Sequence, residues 1–353
     1  MEKTQLFVPG RLCLFGEHSD WAGEYRAFDP SIEVGHCIAI GTNQGINATV
    51  QPHPNQFIIA SILPTGEVIG PHAVDMSEET LSREAKKGGF FSYSAGVAYY
   101  LRQKYGVGGL IIHNRMNLPI KRGVSSSAAI CVLTARAFNR IYQLGLTIRD
   151  EMEYAYLGET STGSECGRMD QVCAYGRVPV FLTFDGDKMK VEKLSPQNPI
   201  YMVIVDLKAG KDTRKILADL NKSLRESSGK ISEDVRYALG LRNKEILFRA
   251  KRAINEGDGE QVGELMIEAQ QVFDEFVQPA CPEELTAPKL HRVLGYPKIK
   301  HLIWGGKGVG SQGDGSAQFV AKGESEREEL IERLKELDVE CFKLNIEAIN
   351  DDS

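Results

Sequence analysis

The residues most able to do chemistry lie in a few short runs. Residues 118–129 read L-P-I-K-R-G-V-S-S-S-A-A, a Pro/Gly turn followed by three hydroxyls and a strongly helix-forming segment. Backbone N–H groups at a helix start are unsatisfied within the helix and sit at the positive end of its dipole, so they favour an anion. Gly123, Val124, Ser125, Ser126, Ser127 and Ala128 therefore form a candidate cradle for phosphate oxygens. Gly123 lets the backbone approach closely, and a serine hydroxyl beside a phosphate can also ligate magnesium. The G-x-x-x-x-G-K-[ST] spacing occurs nowhere in the chain, so a nucleotide site here is of another design. The plainer alternative makes these serines N-caps of a helix over 128–142. Near the N-terminus, 9–20 reads P-G-R-L-C-L-F-G-E-H-S-D and gathers an arginine, two carboxylates and an imidazole behind the apolar run 6–8. Residues 305–315, G-G-K-G-V-G-S-Q-G-D-G, are expected to give a second flexible backbone loop, and 165–171, E-C-G-R-M-D-Q, offer one more carboxylate.

These runs need elements to hold them. Hydrophobic patterning predicts strands at 4–8, 36–41, 45–51, 56–62, 109–114 and 178–184, and helices at 91–104, 126–143 and 147–158. Thr147 is suited to cap the last of these, with Asp150 and Glu151 in its first turn. Beyond it the pattern gives a strand at 201–205, long amphipathic helices near 232–256 and 258–276, then strand 316–321, helix 324–337 and strand 339–345. The polar connector L-S-P-Q-N-P at 194–199 is the expected boundary, dividing the chain into domains 1–195 and 196–353.

Composition excludes several classes. With 353 residues and 42% hydrophobic content there is material for one or two cored domains. The net charge of -6 and the lack of a long basic run argue against nucleic acid as a partner. No apolar stretch approaches the roughly 20 residues of a membrane span, and the polar start M-E-K-T is unlike a signal peptide. Seven scattered cysteines without a C-x-x-C pair suit a reduced, cytoplasmic protein, a monomer or homodimer.

Taken together, the runs at 9–20, 118–129 and 305–315 resemble, in order and separation, the three signatures of the GHMP kinases, the superfamily of galactokinase, homoserine kinase, mevalonate kinase and phosphomevalonate kinase. The first is similar to the galactokinase pattern G-R-x-N-L-I-G-E-H-x-D-Y, the second to P-x-x-x-G-L-S-S-S-A-A, and the third, more loosely, to G-A-G-x-G-G. The resemblance implies an α+β two-domain fold, with an N-terminal domain like ribosomal protein S5 domain 2, an α+β C-terminal domain, and the active site between them. It implies ATP as cosubstrate with Mg2+, and a small-molecule sugar or sugar acid as acceptor.

Residue by residue, 166–171 resembles galactokinase C-G-x-M-D-Q. That match makes Asp170 the catalytic aspartate, places Gly167 at the sugar, and sets Arg11 nearby to offset charge on the γ-phosphoryl group. Glu159, eleven residues before Asp170, has the spacing of the magnesium-binding glutamate of mevalonate kinase, with Ser127 as its hydroxyl partner. Glu17, His18 and Asp20 match positions that hydrogen-bond sugar hydroxyls, although Trp21 replaces the tyrosine and the 22–34 loop looks longer than in galactokinases. Phe90 and Tyr93 resemble the aromatics flanking adenine, and Gly308 and Gly310 the glycines behind the phosphate loop. Ser311 to Asp314 interrupt that motif, and Asp314 reads as a solvated turn residue. Lys208 and Lys211 fall where mevalonate kinase has T-K-V. The expected activity is phosphorylation of a sugar or sugar acid at its anomeric hydroxyl. Mevalonate-type or other polyol kinases, and a catalytically silent sugar and ATP sensor, are the competing readings.

Overall fold

The computed structural model describes residues 3–118, 125–164, 166–225 and 228–349. The chain is α+β and divides into two compact units, one of residues 1–11 and 41–177, the other of 12–40 and 178–353. The expected cut near 190–198 is a cut in sequence; by packing, 12–40 belongs with the C-terminal half. Eleven strands are present among the described residues: β1 (Thr4–Phe15), β2 (Gly35–His53), β3 (Gln56–Ile62), β4 (Val68–Asp75), β5 (Gly109–Met116), β6 (Val180–Asp185), β7 (Lys188–Lys193), β8 (Ile200–Asp206), β9 (Ile303–Gly308), β10 (Ser316–Ala321) and β11 (Glu340–Ile346).

In the first unit the order is β4-β3-β5-β2, with β3 and β5 parallel and the other pairs antiparallel. β3 buries alternate residues, Phe57 and Ile59 among them, as period-two side-chain alternation requires of a sheet with one covered face. Phe57 meets Phe138 of the helix Ser126–Tyr142. That helix packs with Ser92–Tyr105 and Ile148–Thr160. Thr147 and Asp150 form a reciprocal capping box at the start of Ile148–Thr160, as their spacing predicts.

The second unit is built on an antiparallel sheet of order β11-β8-β10-β9. β8 is apolar from Met202 to Val205 because both of its faces are covered. Met202 and Ile204 point into one core with Ile246, Leu247, Val262, Leu265 and Met266, and Val203 and Val205 into another with Leu290, Val293, Leu330 and Leu334. The helix expected near 232–256 runs from Lys230 to Glu256 through a π-turn at Ala238–Arg242. The N-terminal half of β2 pairs with β6, and β6 with β7.

Two expectations are corrected, and glycine explains both. β1 does not stop at Val8, and β2 is one strand rather than two. Pro9-Gly10 and Gly41 lie within strands, where a Cβ on Gly41 would come within 2.1 Å of the Gly176 carbonyl and 2.6 Å of the Pro9 ring. Likewise Gly305 to Gly308 form a strand, and only 309–315 is the loop. A Cβ on Gly305 would fall 2.0 Å from the Gly263 carbonyl, so these glycines serve a close crossing of strand and helix.

A second crossing fixes a site element. Gly96 and Gly158 bring two helices of the first unit together; a Cβ on Gly158 would lie 2.6 Å from the Val97 nitrogen and 2.4 Å from its Cγ2. Because backbone cannot yield as a side-chain tip can, Gly158→Ala is expected to lower unfolding free energy by about 2 kcal/mol or more. Gly210→Ala, where nothing lies within 4 Å, should change it by less than about 0.5 kcal/mol. Urea unfolding of both variants checks the contrast, and equal midpoints would remove the close crossing as a constraint.

Candidate functional site

Each unit assembles its own group of candidate residues. In the first, Asp170 opens the short 3-10 turn Asp170–Tyr175, Glu159 ends the helix Ile148–Thr160, and Ser125 to Ser127 begin the helix Ser126–Tyr142. A single lattice of bonds ties these elements together. Arg136 pairs with Glu151 at 2.8 Å and donates to the Ala174 carbonyl at 2.6 Å, while Asn139 donates to Glu151 at 2.8 Å. The turn carrying Asp170 is thereby held against both helices.

At the centre, the Arg11 guanidinium pairs with the Asp170 carboxylate and donates to Ser125 Oγ at 2.7 Å, and Ser125 Oγ donates to Asp170 at 2.9 Å. Ser125 adopts a left-handed backbone (φ 50°), a costly conformation for a non-glycine residue that turns its hydroxyl onto this pair. Glu159, 1% exposed, accepts from Gln171 Nε2 at 2.8 Å and is hydrogen-bonded by Ser127. Burial, with the Asp170 charge adding to it, pushes the Glu159 carboxyl up to about 7; the bonds from Ser127 and Gln171 only partly oppose this. The buried Glu159 carboxylate therefore feels the charge of Asp170, whose own direct partner is the Arg11 guanidinium. Among the described residues no group of three or more His, Cys, Asp or Glu side chains is arranged to hold a metal.

The remaining first-unit candidates are placed as follows. Ser126 is in the first turn beside Ser127, Ala128 is fully buried, and Gly167 precedes the Asp170 turn, accepting from the Asp170 N–H at 3.3 Å. Gly123 and Val124 lie outside the described residues. Phe90 packs edge-on against Phe91, which stacks on His72 at 4.7 Å. Tyr93 stands near Glu159; burial raises its phenol, and the Glu159 charge raises it further.

In the second unit, Glu17, His18 and Asp20 are all buried. Lys307, from β9, is buried too and ion-pairs with Glu17, its ammonium also donating to the Gly308 carbonyl at 2.8 Å. His18 has a left-handed backbone and accepts at Nδ1 from Trp21 Nε1 at 3.2 Å. An indole N–H can only donate, so the ring proton of neutral His18 sits on the buried Nε2. Burial, then Lys211 and Lys307, bring His18 down to about 4, with the Ser311 backbone acting the other way. Gly308 gives its N–H to Gln270 at 2.7 Å, and Gly310 (φ 68°) turns in open space. Asp314 is not a free turn carboxylate: it accepts from the Leu290 N–H at 2.8 Å, in the first turn of Pro288–Leu294. Lys208 is exposed and pairs with Asp338, whereas burial lowers Lys211 to about 8.

Sequence reasoning did not single out Ser125 as the bridge between Arg11 and Asp170, nor Gln171, Lys307 and Gln312. Gln171 is the last letter of the C-G-x-M-D-Q run, which was the available signal. Lys307 and Gln312 sit inside the third motif but carry no spacing that announces burial.

Residues 92–177 match the family model described as the GHMP kinases N terminal domain. The galactokinase of Thermococcus kodakarensis is 25% identical over 301 residues, covering 79% of this chain and 80% of that one. The structure superposes on Lactococcus lactis galactokinase complexed with galactose with a TM-score of 0.73, at 16% identity over 98% of this chain and 94% of the other. The Methanococcus jannaschii mevalonate kinase gives 0.73 at 18% identity, covering 99% of each chain. The kinase-domain match over the segment that carries Ser125 to Ser127, Glu159 and Asp170, together with galactokinase relatives across four-fifths of the sequence, marks this chain as a phosphotransferase similar to the galactokinases among the GHMP kinases.

Proposed function

We propose that this chain transfers the γ-phosphoryl group of ATP to a sugar or sugar acid at its anomeric hydroxyl. The observation that supports this most is the Arg11–Ser125–Asp170 arrangement beside the Ser127–Glu159 pair. Phosphoryl transfer asks a protein for little covalent chemistry and much positioning and charge compensation. In this reading the backbone at 123–128 cradles the phosphates and Asp170 orients the acceptor hydroxyl and takes its proton. Arg11 offsets the charge of Asp170 and of the transferred group, and Ser125 holds the carboxylate in one rotamer. Glu17, His18 and Asp20 recognise the acceptor, whose hydroxyls each need a partner once water is excluded.

Ser127 and Glu159 fit a magnesium ion. They offer hard oxygen donors, and a buried carboxylate with raised proton affinity beside a second carboxylate is a site short of positive charge. Bound Mg2+ would supply charge neutralisation on the β- and γ-phosphates. One ligating carboxylate and one hydroxyl suffice, because this ion keeps several waters.

Three measurements test the reading. Folded Glu159 titrates near 7, against 4.5 for an ordinary carboxyl. Between these values the folded state binds more protons than the unfolded one, so stability falls as pH rises, and the loss is complete above pH 7. Metal-free Glu159→Gln should thus melt close to wild type near pH 4.5 and above it at pH 8. A melting difference independent of pH would take the buried carboxylate out of this role.

Asp170→Asn should lower kcat by about 10²–10⁴ while the KM for ATP stays within about threefold, since the lost group acts on the acceptor. Near-wild-type kcat would exclude Asp170 from the chemistry.

A coupled ADP-release screen over hexoses, pentoses, uronic acids, inositols and mevalonate should find a reducing sugar or sugar acid. Its product should be an acid-labile 1-phosphate, with phosphorus coupled to the anomeric proton by NMR. Turnover of mevalonate alone, or a stable ester of a primary alcohol, would overturn the assignment.

A further inference from the structure

One face of a helix in the first unit is polar and borders a cleft. Along Ser126–Tyr142 and its cap, Arg136, Asn139, Arg140 and Gln143 recur at spacings of three and four, so they lie on one side. The cleft they border has a volume of about 740 Å³, the size of a small-molecule site. Its other walls include Phe7 of β1, Ile148, and the end of the Asp170 turn at Ala174 to Gly176. All of these residues belong to the first unit.

The charges lining the cleft do not balance. Glu151 is the one carboxylate among them, is 4% exposed, and already accepts from Arg136 Nε and the Asn139 amide, both at 2.8 Å. Arg136 gives Nη2 to the Ala174 carbonyl at 2.6 Å, and its Nη1 has no partner among the described residues. Arg140, one turn further along, makes neither a hydrogen bond nor an ion pair among them. Like charges one helical turn apart repel, and a single carboxylate offsets only one of the two guanidiniums. The Tyr175 hydroxyl is likewise without a protein partner among the described residues. Phe7 and Ile148, exposed by 40% and 37%, add apolar surface to this cationic corner.

We propose that this cleft binds a phosphate monoester of a small organic molecule, a sugar phosphate or a nucleoside monophosphate, and that occupancy steadies the Asp170 turn. Arg140 and the spare nitrogen of Arg136 hold the phosphate. Arginine forks match phosphate oxygens, and a tetrahedral anion meets more N–H directions than a flat carboxylate. Phe7, Ile148 and Tyr175 offer the body of the ester apolar contact and one hydroxyl. Coupling to the turn follows from two residues. Arg136 reaches both the cleft and the Ala174 carbonyl, and Tyr175 ends the turn that Asp170 opens. This site goes beyond the kinase reading and does not require it, since none of Ser125 to Ser127, Glu159 and Asp170 lines the cleft.

Calorimetric titration of the full chain with glucose 6-phosphate, UMP and inorganic phosphate tests the proposal. At least one ester should bind. Arg140→Ala, which removes no bond from the fold, should weaken that binding by about tenfold or more, whereas Ser127→Ala should leave it within about twofold. With the ester at about ten times its Kd, amide hydrogen exchange across Asp170–Tyr175 should slow by about tenfold, because opening the turn dismantles the site. Glucose 6-phosphate binding alone identifies a sugar phosphate as the ligand, and UMP binding alone a nucleotide. No binding by either ester, or binding that Ser127→Ala abolishes and Arg140→Ala spares, overturns the proposal. So does tighter binding of inorganic phosphate than of both esters, or exchange in the turn that a bound ester leaves unchanged.

Discussion

Everything in the first unit depends on a buried carboxylate, Glu159, being held within the field of a second, Asp170. Glu159 and Asp170 raise each other's energy through a medium that screens them poorly, and Arg11 compensates only the latter directly. A fold that stores such repulsion must hold it from outside. It does so with the Arg136–Glu151–Asn139 bonds under the Asp170 turn, the capping box that starts the Glu159 helix, and the glycine crossing one residue before Glu159. None of these touches the reacting centre. Each removes a way for the acidic pair to relax apart.

The second unit handles charge in the opposite sense. There the carboxylate of Glu17 is matched by the buried ammonium of Lys307. The contrast suits the two jobs a phosphotransferase must do. On the proposed function, the first group would welcome an added cation at the phosphates and the second would offer the acceptor donors of preset geometry. Trp21 fixes the tautomer of His18, which leaves the ring proton on the buried Nε2.

Much of this was legible in the chain. Thr147 and Asp150 announce their capping box by spacing alone, because capping is a local interaction. The 201–205 run reads as a strand, and the order of the hydroxyl, acidic and glycine-rich runs points to the kinase family before any coordinates. What was not legible depends on distant partners. Gly41 and Gly305 look like turn residues because glycine favours turns. Their actual reason, a backbone passing within van der Waals distance, involves Gly176 and Gly263. Lys307 looks like a surface residue because most lysines are. Its burial follows from the packing of β9, which no local pattern encodes. Asp314 likewise appears idle until the helix it caps, Pro288–Leu294, is in view.

The Glu17–Lys307 ion pair joins residues 290 positions apart, and the unit containing it opens before the first unit is finished and closes only near the end of the chain. The consequence concerns the order of assembly during synthesis. Residues 41–177 can complete their own packing as soon as they emerge, whereas 12–40 must wait for partners that do not yet exist. Through that interval the apolar strand segments of 12–40 and Glu17, His18 and Asp20 between them are exposed to solvent and to other nascent chains. The price of drawing one buried ion pair from both ends of a polypeptide is a long vulnerable period before its core can form, and contacts of such high sequence separation are the slowest to close.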